Sequence, residues 1–310
     1  MRRVAAALLP LLCEPPDLLI VQGDTSSALG AALAGFTAGV PVAHVEAGLR
    51  TWDPSLPWPE EEYRTAIDAQ ADLLFAPTEL AARNLTAELV AGEIHITGNT
   101  GVDALLALLP ALPAPALHER DPPKLLVTCH RRESWGEGLR SIAAAVGALA
   151  GDGVAQIDVV LHPNAHVNSA LRGRLGGVAG VSLIEPCGHR ELVLRMRDAD
   201  LILSDSGGIQ EEAPALGTPL LVLREKTERP EGVAAGNARL VGTDADGIVA
   251  EVRRLLADPP ALEAMSRRTY PYGDGRSGPR IALIIEDWLK RREEQPGTSD
   301  QIRTRHSARW

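Results

Sequence analysis

Three carboxylates stand where they could move protons. Asp24 follows an apolar run at residues 17–22 within Gly23-Asp24-Thr25. Glu46 follows the next such run in His44-Val45-Glu46-Ala47-Gly48-Leu49-Arg50. Glu60 sits in Pro57-Trp58-Pro59-Glu60-Glu61, a rigid turn entering a helix. Carboxylates gathered in a cleft shift one another's pKa values and can divide acid and base roles near neutral pH. The plainer alternative for each is a cap or a surface charge, and Glu60 and Glu61 at a helix start are ordinary capping choices. His130 ends a third apolar run and precedes Arg131 and Arg132. It could contact a phosphate or shuttle a proton. The chain has no HExxH string and no paired-histidine spacing, so metal catalysis is not expected.

A second set of residues suits an anion. Asp205-Ser206-Gly207-Gly208 joins an apolar run to a helical stretch. Small residues let the backbone approach a phosphate, and the free N–H groups and positive dipole end of the following helix attract it. The alternative is a tight strand-to-helix turn. Glu211 and Glu212 lie one turn into that helix, where a carboxylate could accept ribose hydroxyls or simply favour the helix N-terminus; spacing leaves both open. Arg131, Arg132, Arg224 and Arg229 supply local positive charge, and the planar guanidinium matches phosphate geometry.

The elements that must hold these residues follow one grammar: an apolar strand, a small-residue turn, a helix. Strands are predicted at 17–22, 41–45, 73–76, 94–97, 125–128, 158–161, 182–184, 201–204 and 219–223. Helices are predicted near 26–37, 102–108, 209–216 and 282–292. Strands alternating with helices imply parallel, doubly wound α/β sheets, whose ligands bind beyond the carboxyl ends of the strands. The Gly23, Glu46, His130 and Ser206 motifs all fall at such ends. A Pro/Ala-rich stretch at 109–123 reads as a linker. It divides a first domain at 1–108 from a second at 109–274, with a last amphipathic helix at 275–292 returning to the first and a disordered tail at 293–310.

Bulk properties agree with that reading. The 310 residues suffice for two domains, 45% of them are hydrophobic, and only 3% are aromatic, a mix suited to aliphatic parallel sheets. The net charge of −10 disfavours a nucleic-acid partner. The three cysteines, Cys13, Cys129 and Cys187, form no CxxC pair and fit a reducing cytoplasm. Arg2, Arg3 and the apolar run ending at Cys13 superficially resemble an export signal. No small residue precedes Cys13 and Pro10 interrupts the run, so the end of a surface helix is expected there. No run of about twenty apolar residues exists, so no membrane span is expected.

Taken in order, the motifs resemble those of the non-hydrolysing UDP-N-acetylglucosamine 2-epimerases. The matching strings are Gly-Asp-Thr (23–25), His-Val-Glu-Ala-Gly-Leu-Arg-Thr (44–51), Pro-Trp-Pro-Glu-Glu (57–61), Ala-Pro-Thr-Glu (76–79), Thr-Gly-Asn-Thr (97–100) and His-Arg-Arg-Glu (130–133). They continue with Asp-Ser-Gly-Gly-Ile-Gln-Glu-Glu-Ala-Pro (205–214), Thr-Glu-Arg-Pro-Glu (227–231) and Pro-Tyr-Gly-Asp-Gly (271–275). The resemblance implies two Rossmann-like, GT-B-like domains facing across a cleft. It implies interconversion of UDP-GlcNAc and UDP-ManNAc through elimination and re-addition of UDP, a homodimer, and no metal or NAD. By resemblance, Asp24, Glu46 and Glu60 match the acid/base carboxylates and His130 the active-site histidine near the diphosphate. Ser206, Gly207 and Gly208 match the diphosphate turn, Glu212 the ribose glutamate and Arg229 a ligand-contacting arginine, with Arg131 beside them.

The chain also departs from the family pattern. The family begins with a strand and a Gly-Thr-Arg-Pro-Glu loop that contacts the diphosphate, and neither is present. The first Rossmann domain is therefore expected to be incomplete, with the strand at 17–21 or a neighbour at an exposed edge, low stability and little turnover. Cys187 and Leu192 stand where many relatives carry polar and aromatic residues beside the uracil, and Tyr63 where asparagine is common. Two other expectations are compatible with the motifs: an epimerase of another UDP-sugar such as UDP-2,3-diacetamido-glucuronate, and a nucleotide-binding remnant without turnover. The His-Val-Glu-Ala-Gly-Leu-Arg and Pro-Trp-Pro-Glu-Glu strings favour epimerase over glycosyltransferase.

Overall fold

A computed structural model describes residues 1–113, 121–129, 131 and 135–294. The chain forms two compact units, Met1–Asp103 with Tyr272–Trp310, and Ala104–Pro271. The division falls five residues before the sequence boundary at 108 and three before that at 274.

The first unit runs α1 (Arg2–Leu8), β1 (Leu19–Gln22), α2 (Ser26–Ala38), β2 (Val42–Val45), α3 (Glu60–Asp68), β3 (Leu73–Ala76), α4 (Glu79–Ala87), β4 (Glu93–Ile96) and the start of α5 (Thr100–Leu108). The four strands pair in parallel in sequence order. Side chains alternate along each strand, so each face needs its own cover. Val21 and Val42 pack on α2 through Ala28, Ala32 and Phe36, and Leu74 and Ala76 pack on α4 through Ala81 and Leu85. The opposite face carries Ala43, Val45, Leu73 and Phe75. Local chemistry sets the helix ends. Thr25 and Thr78 cap α2 and α4 by accepting the amides of Ala28 and Ala81, and Gly39 ends α2 in the left-handed conformation. β1 is an end strand, and Ile20 on it is 53% exposed.

The second unit runs β5 (Lys124–Thr128), α6 (Glu137–Gly151), β6 (Gln156–Val160), α7 (Ala165–Leu175), β7 (Val181–Ile184), α8 (His189–Asp198), β8 (Leu201–Ser204), α9 (Gly207–Leu216), β9 (Leu220–Val222), α10 (Glu231–Ala234), β10 (Ala238–Leu240), α11 (Ala245–Leu256) and α12 (Pro259–Met265). Its six parallel strands lie in the order β10-β9-β8-β5-β6-β7. Leu125, Val127, Leu201 and Leu203 face α6, α7 and α11. Leu126, Ile202, Leu220 and Val222 face α8 and α9. Both faces are covered, so the central strands β5, β8 and β9 are apolar apart from their ends. The chain leaves β5 in one direction and returns to its other side at β8, which makes β5/β8 the topological switch point.

α13 (Ser277–Glu294) belongs to the first unit. Ile281 and Trp288 on it cover Ala43, Val45, Leu73 and Phe75. Asp103 caps its start, accepting the amides of Ser277 at 3.0 Å and Gly278 at 2.7 Å.

Strand positions match the sequence reading to within about two residues. Strand β10 and helices α4, α6, α7, α8, α10, α11 and α12 went unread, and α10 and β10 are too short for periodicity to show. Near Cys13 the chain is helical, with α1 followed by a 3₁₀ turn at Leu9–Cys13. Among the described residues no helix is long and apolar enough to cross a membrane. Most of the predicted tail and part of the predicted linker, 295–310 and 114–120, lie outside the described residues.

Candidate functional site

In the first unit the parallel sheet delivers two turns side by side. β1 ends at Gln22, and Gly23 donates its amide to the Val45 carbonyl at 3.0 Å, locking the turn before Asp24 to the end of β2. Glu46, the first residue after β2, has a φ of 72°. A non-glycine residue in that region is strained, and such strain concentrates at functional sites. Its Oε2 would lie 3.6 Å from a Cβ placed on Gly23, so the Glu46 carboxylate sits over the turn that carries Asp24. Gly48 must be glycine: a Cβ there would meet the Ala81 carbonyl at 2.3 Å.

α3 meets the same turn through Arg64. This buried guanidinium pairs with the Asp24 carboxylate through Nη2 and with Glu61 through Nη1 at 3.1 Å. Glu61 also accepts the amides of Thr51 at 2.8 Å and Trp52 at 3.0 Å. Glu61 is thus fully engaged in holding the loop. Glu60 beside it, half-buried at the first position of α3, makes no such bonds among the described residues. The structure therefore brings Asp24 and Glu46 together at Gly23, and Glu60 lies one helical turn from the arginine that holds Asp24.

Behind these turns lies a buried charge relay that the sequence reading passed over. His44 and Asp68 are both 0% exposed. His44 Nδ1 meets Asp68 Oδ1 at 2.5 Å, and Nε2 meets the Gly23 carbonyl at 3.0 Å. Asp68 Oδ2 accepts the Gly48 amide at 3.1 Å and meets Arg50 Nη2 at 2.8 Å; Arg50 in turn grips Glu88 with Nε at 2.7 Å and Nη2 at 2.6 Å. Burial opposes charge on His44, but the Asp68 carboxylate, the Gly23 carbonyl and the nearby Glu46 outweigh it and raise its pKa. Burial likewise opposes charge on Asp68, and His44 and Arg50 overcome it, so its pKa is lowered. His44 lies inside a motif already singled out. Its partners are 24 and 21 residues away, which only the fold reveals.

In the second unit the site forms at the β5/β8 switch point. Thr128 and Ser204 end those strands, and their hydroxyls meet at 2.6 Å. Ser206 then leads into α9, whose first turn has no side-chain cap and no acidic residue. A cavity of about 170 Å³ opens beside it, lined by Cys129, His162, Cys187, Leu192, Ser206 and Ile209 among others. Gly207 has a steric reason. A Cβ there would lie 2.8 Å from the Arg229 guanidinium and 3.0 Å from that of Arg131. Gly208 faces open space.

The segment 227–229 is clamped to α9. Thr227 Oγ1 donates to Gln210 at 2.6 Å, Arg229 Nε donates to Glu211 at 2.6 Å, and Glu228 receives Arg224 Nη1 at 2.9 Å as well as Arg229 Nη1. Arg131 donates its amide to the buried Asp205 at 2.9 Å and reaches Glu228 at 3.6 Å. The structure thus separates the two carboxylates that spacing left undecided. Glu211 is bound to Arg229, whereas Glu212 meets the half-exposed His189 at 2.7 Å. Burial raises the pKa of Glu212, partly offset by His189. His130, Arg132 and Glu133 lie outside the described residues. Among the described residues no cluster of three or more His, Cys, Asp or Glu could hold a metal ion.

The two sheets and these turns define a GT-B-like class of protein, built from parallel-sheet α/β units with ligand-type turns at the strand ends. The family described as UDP-N-acetylglucosamine 2-epimerase matches residues 9–286, and the chain belongs to that family. It is 47% identical over 299 residues to the UDP-N-acetylglucosamine 2-epimerase of Escherichia coli strain K12, covering 92% of this chain and 80% of that protein. The crystal structure of the Neisseria meningitidis enzyme bound to UDP-GlcNAc superposes with a TM-score of 0.86 at 38% identity, over 93% of this chain and 80% of that one. A Staphylococcus aureus MnaA–UDP co-structure does so with a TM-score of 0.86 at 36% identity, over the same shares.

Proposed function

We propose that the chain interconverts UDP-GlcNAc and UDP-ManNAc by inverting C2 of the sugar. The observation that carries this reading is the pair of carboxylates, Asp24 and Glu46, set around one glycine turn in a family whose relatives are named for this epimerisation. The C2 hydrogen is acidified only weakly by its neighbours. A carboxylate base must remove it while the C1–O bond to UDP breaks, giving UDP and a 2-acetamidoglucal. UDP then adds back to C1 as C2 is protonated from the other face. Asp24, Glu46 and Glu60 are the proton carriers of this scheme, and positioned carboxylates contribute about 10²–10⁴-fold to such transfers.

UDP is assigned to the switch point of the second unit. The amides of Gly207 and Gly208 and the guanidiniums of Arg131 and Arg229 suit its diphosphate, with Ser206 at the turn; His130 is assigned to the same diphosphate from its motif alone. Glu212 suits the ribose hydroxyls, and the cavity lined by Cys187 and Leu192 suits the base. The enzyme is proposed to work as a homodimer, which light scattering on the purified chain would establish.

The test is a reaction in D₂O with UDP-GlcNAc and, in parallel, UDP-2,3-diacetamido-glucuronate. Formation of UDP-ManNAc with deuterium at C2 is expected. Epimerisation of the diacetamido sugar alone would move the assignment to that substrate. UDP binding without exchange at C2 of either sugar would reduce the chain to a nucleotide binder.

A further inference from the structure

We infer that His44 is a permanently charged imidazolium and a positioning residue, which fixes the Gly23-Asp24 turn and holds the negative charge on Glu46. The inference rests on the proposed epimerase reading only for its consequence in catalysis. The geometry stands apart from it.

Each ring nitrogen of His44 faces an acceptor. The Asp68 carboxylate lies 2.5 Å from Nδ1 and the Gly23 carbonyl 3.0 Å from Nε2. A neutral imidazole has one N–H and one bare lone pair. In either neutral tautomer a lone pair would be aimed at one of these oxygens inside a dry core, and the acceptor would lose its partner. With Asp68 ionised, as its contacts with Arg50 and the Gly48 amide require, only the doubly protonated ring satisfies both.

The surrounding charges agree. Asp68 on α3 is anionic and is itself held by Arg50, which Glu88 at the end of α4 neutralises. From the turn after β2, the charge of Glu46 also stabilises the imidazolium. Asp24, on the turn after β1, is paired with Arg64. Each cation here has an anionic neighbour. Interaction between His44 and Glu46 is reciprocal, so the charged ring favours the ionised form of the carboxylate. A carboxylate that must take a proton from carbon has to be ionised before the substrate arrives. The ring also holds the carbonyl that precedes Asp24, so one side chain sets the backbone beneath one proton carrier and the charge on another.

The experiment uses the ¹⁵N-histidine-labelled 310-residue chain. The His44 signals are recognised by their slow solvent exchange and by their loss in His44→Gln. Both ring nitrogens are expected to carry protons from pH 6 to pH 9, well above the range in which a free histidine loses one. A neutral tautomer at pH 8 would overturn the inference, whatever the chain catalyses. In the second arm, the acid limb of the kcat/KM profile for UDP-GlcNAc should move up by about one pH unit in His44→Gln, with UDP affinity unchanged. An active variant with an unmoved acid limb would remove the link to Glu46. If the wild-type chain shows no epimerisation, the proposed function fails, and the ¹⁵N result still decides the state of His44.

Discussion

Both units bury a network of paired charges, but they set it against different surroundings. In the first, the acid/base candidates rest on a lattice of buried pairs: Asp24 with Arg64, His44 with Asp68, Arg50 with Glu88. Strained backbone at Glu46 and at Trp52, with φ values of 72° and 61°, is held in place by that lattice. In the second, Arg131, Arg224 and Arg229 pair with Glu228 and Glu211 near Gly207, while α9 begins without a side-chain cap and a cavity opens beside Ser206. One region spends its polar groups on each other to fix a few carboxylates. The other gathers a buried arginine–glutamate network beside an uncapped helix start. Under the proposed function, the first network serves proton transfer and the second serves nucleotide binding.

The sharpest way to break the comparison is Glu46→Gln. It should lower kcat for UDP-GlcNAc epimerisation by about 10³-fold and leave UDP affinity unchanged by calorimetry. A fall in UDP affinity instead would erase the division of labour. Next is the lattice itself. Asp68→Ala leaves His44 and Arg50 buried without their anion, and should cost about 3–5 kcal/mol of stability in denaturant unfolding. The milder Asp68→Asn adds a pH test. The folded pKa of Asp68 lies below its ordinary 3.8, so its contribution is complete above that value and is lost as pH falls through the folded one. His44 has the reverse sign: its pKa is raised above 6.5, so its contribution is complete below 6.5 and is lost as pH rises through the folded value. The gap in melting temperature between wild type and Asp68→Asn should therefore be widest between those limits and close in acid.

In the second unit, Gly207→Ala pushes a methyl group into the Arg229 and Arg131 guanidiniums. UDP affinity should fall by about 10- to 100-fold, with the unit still folded by circular dichroism. Glu212→Gln should weaken UDP by about tenfold while leaving 2′-deoxy-UDP less affected, and equal losses for both would detach Glu212 from the ribose. The smallest effect belongs to Asp274→Asn. Its exposed pair with Arg280 lowers the Asp274 pKa to about 2, yet such a pair is screened by water, and the melting temperature should not move measurably.

These outcomes also mark what the sequence could convey. The strand-turn-helix grammar at Gly23, Glu46 and Ser206 was readable because parallel sheets place every carboxyl end at one rim. Family strings then supplied candidate roles. Strand order was not readable: nothing local in Leu201 to Ser204 says that β8 lies beside β5 rather than β7. Nor was the lattice, since Asp68 looks like the end of an ordinary helix until the fold sets it against His44. Likewise, Glu211 and Glu212 are neighbours in sequence, and only the packing of residues 227–229 on α9 gives one of them to Arg229.

The three cysteines sit at three depths: Cys13 exposed, Cys187 half-buried at the cavity wall, and Cys129 buried behind that wall, where burial and Asp205 push its thiol far above the ordinary range. Alkylating reagents attack thiolates. A native molecule should therefore consume reagent rapidly at Cys13, slowly at Cys187 and not at all at Cys129. Occupancy of the cavity would shield the second thiol, and reaction of the third would time the opening of the larger sheet, so the protein carries an unengineered clock for its own ligand and its own unfolding.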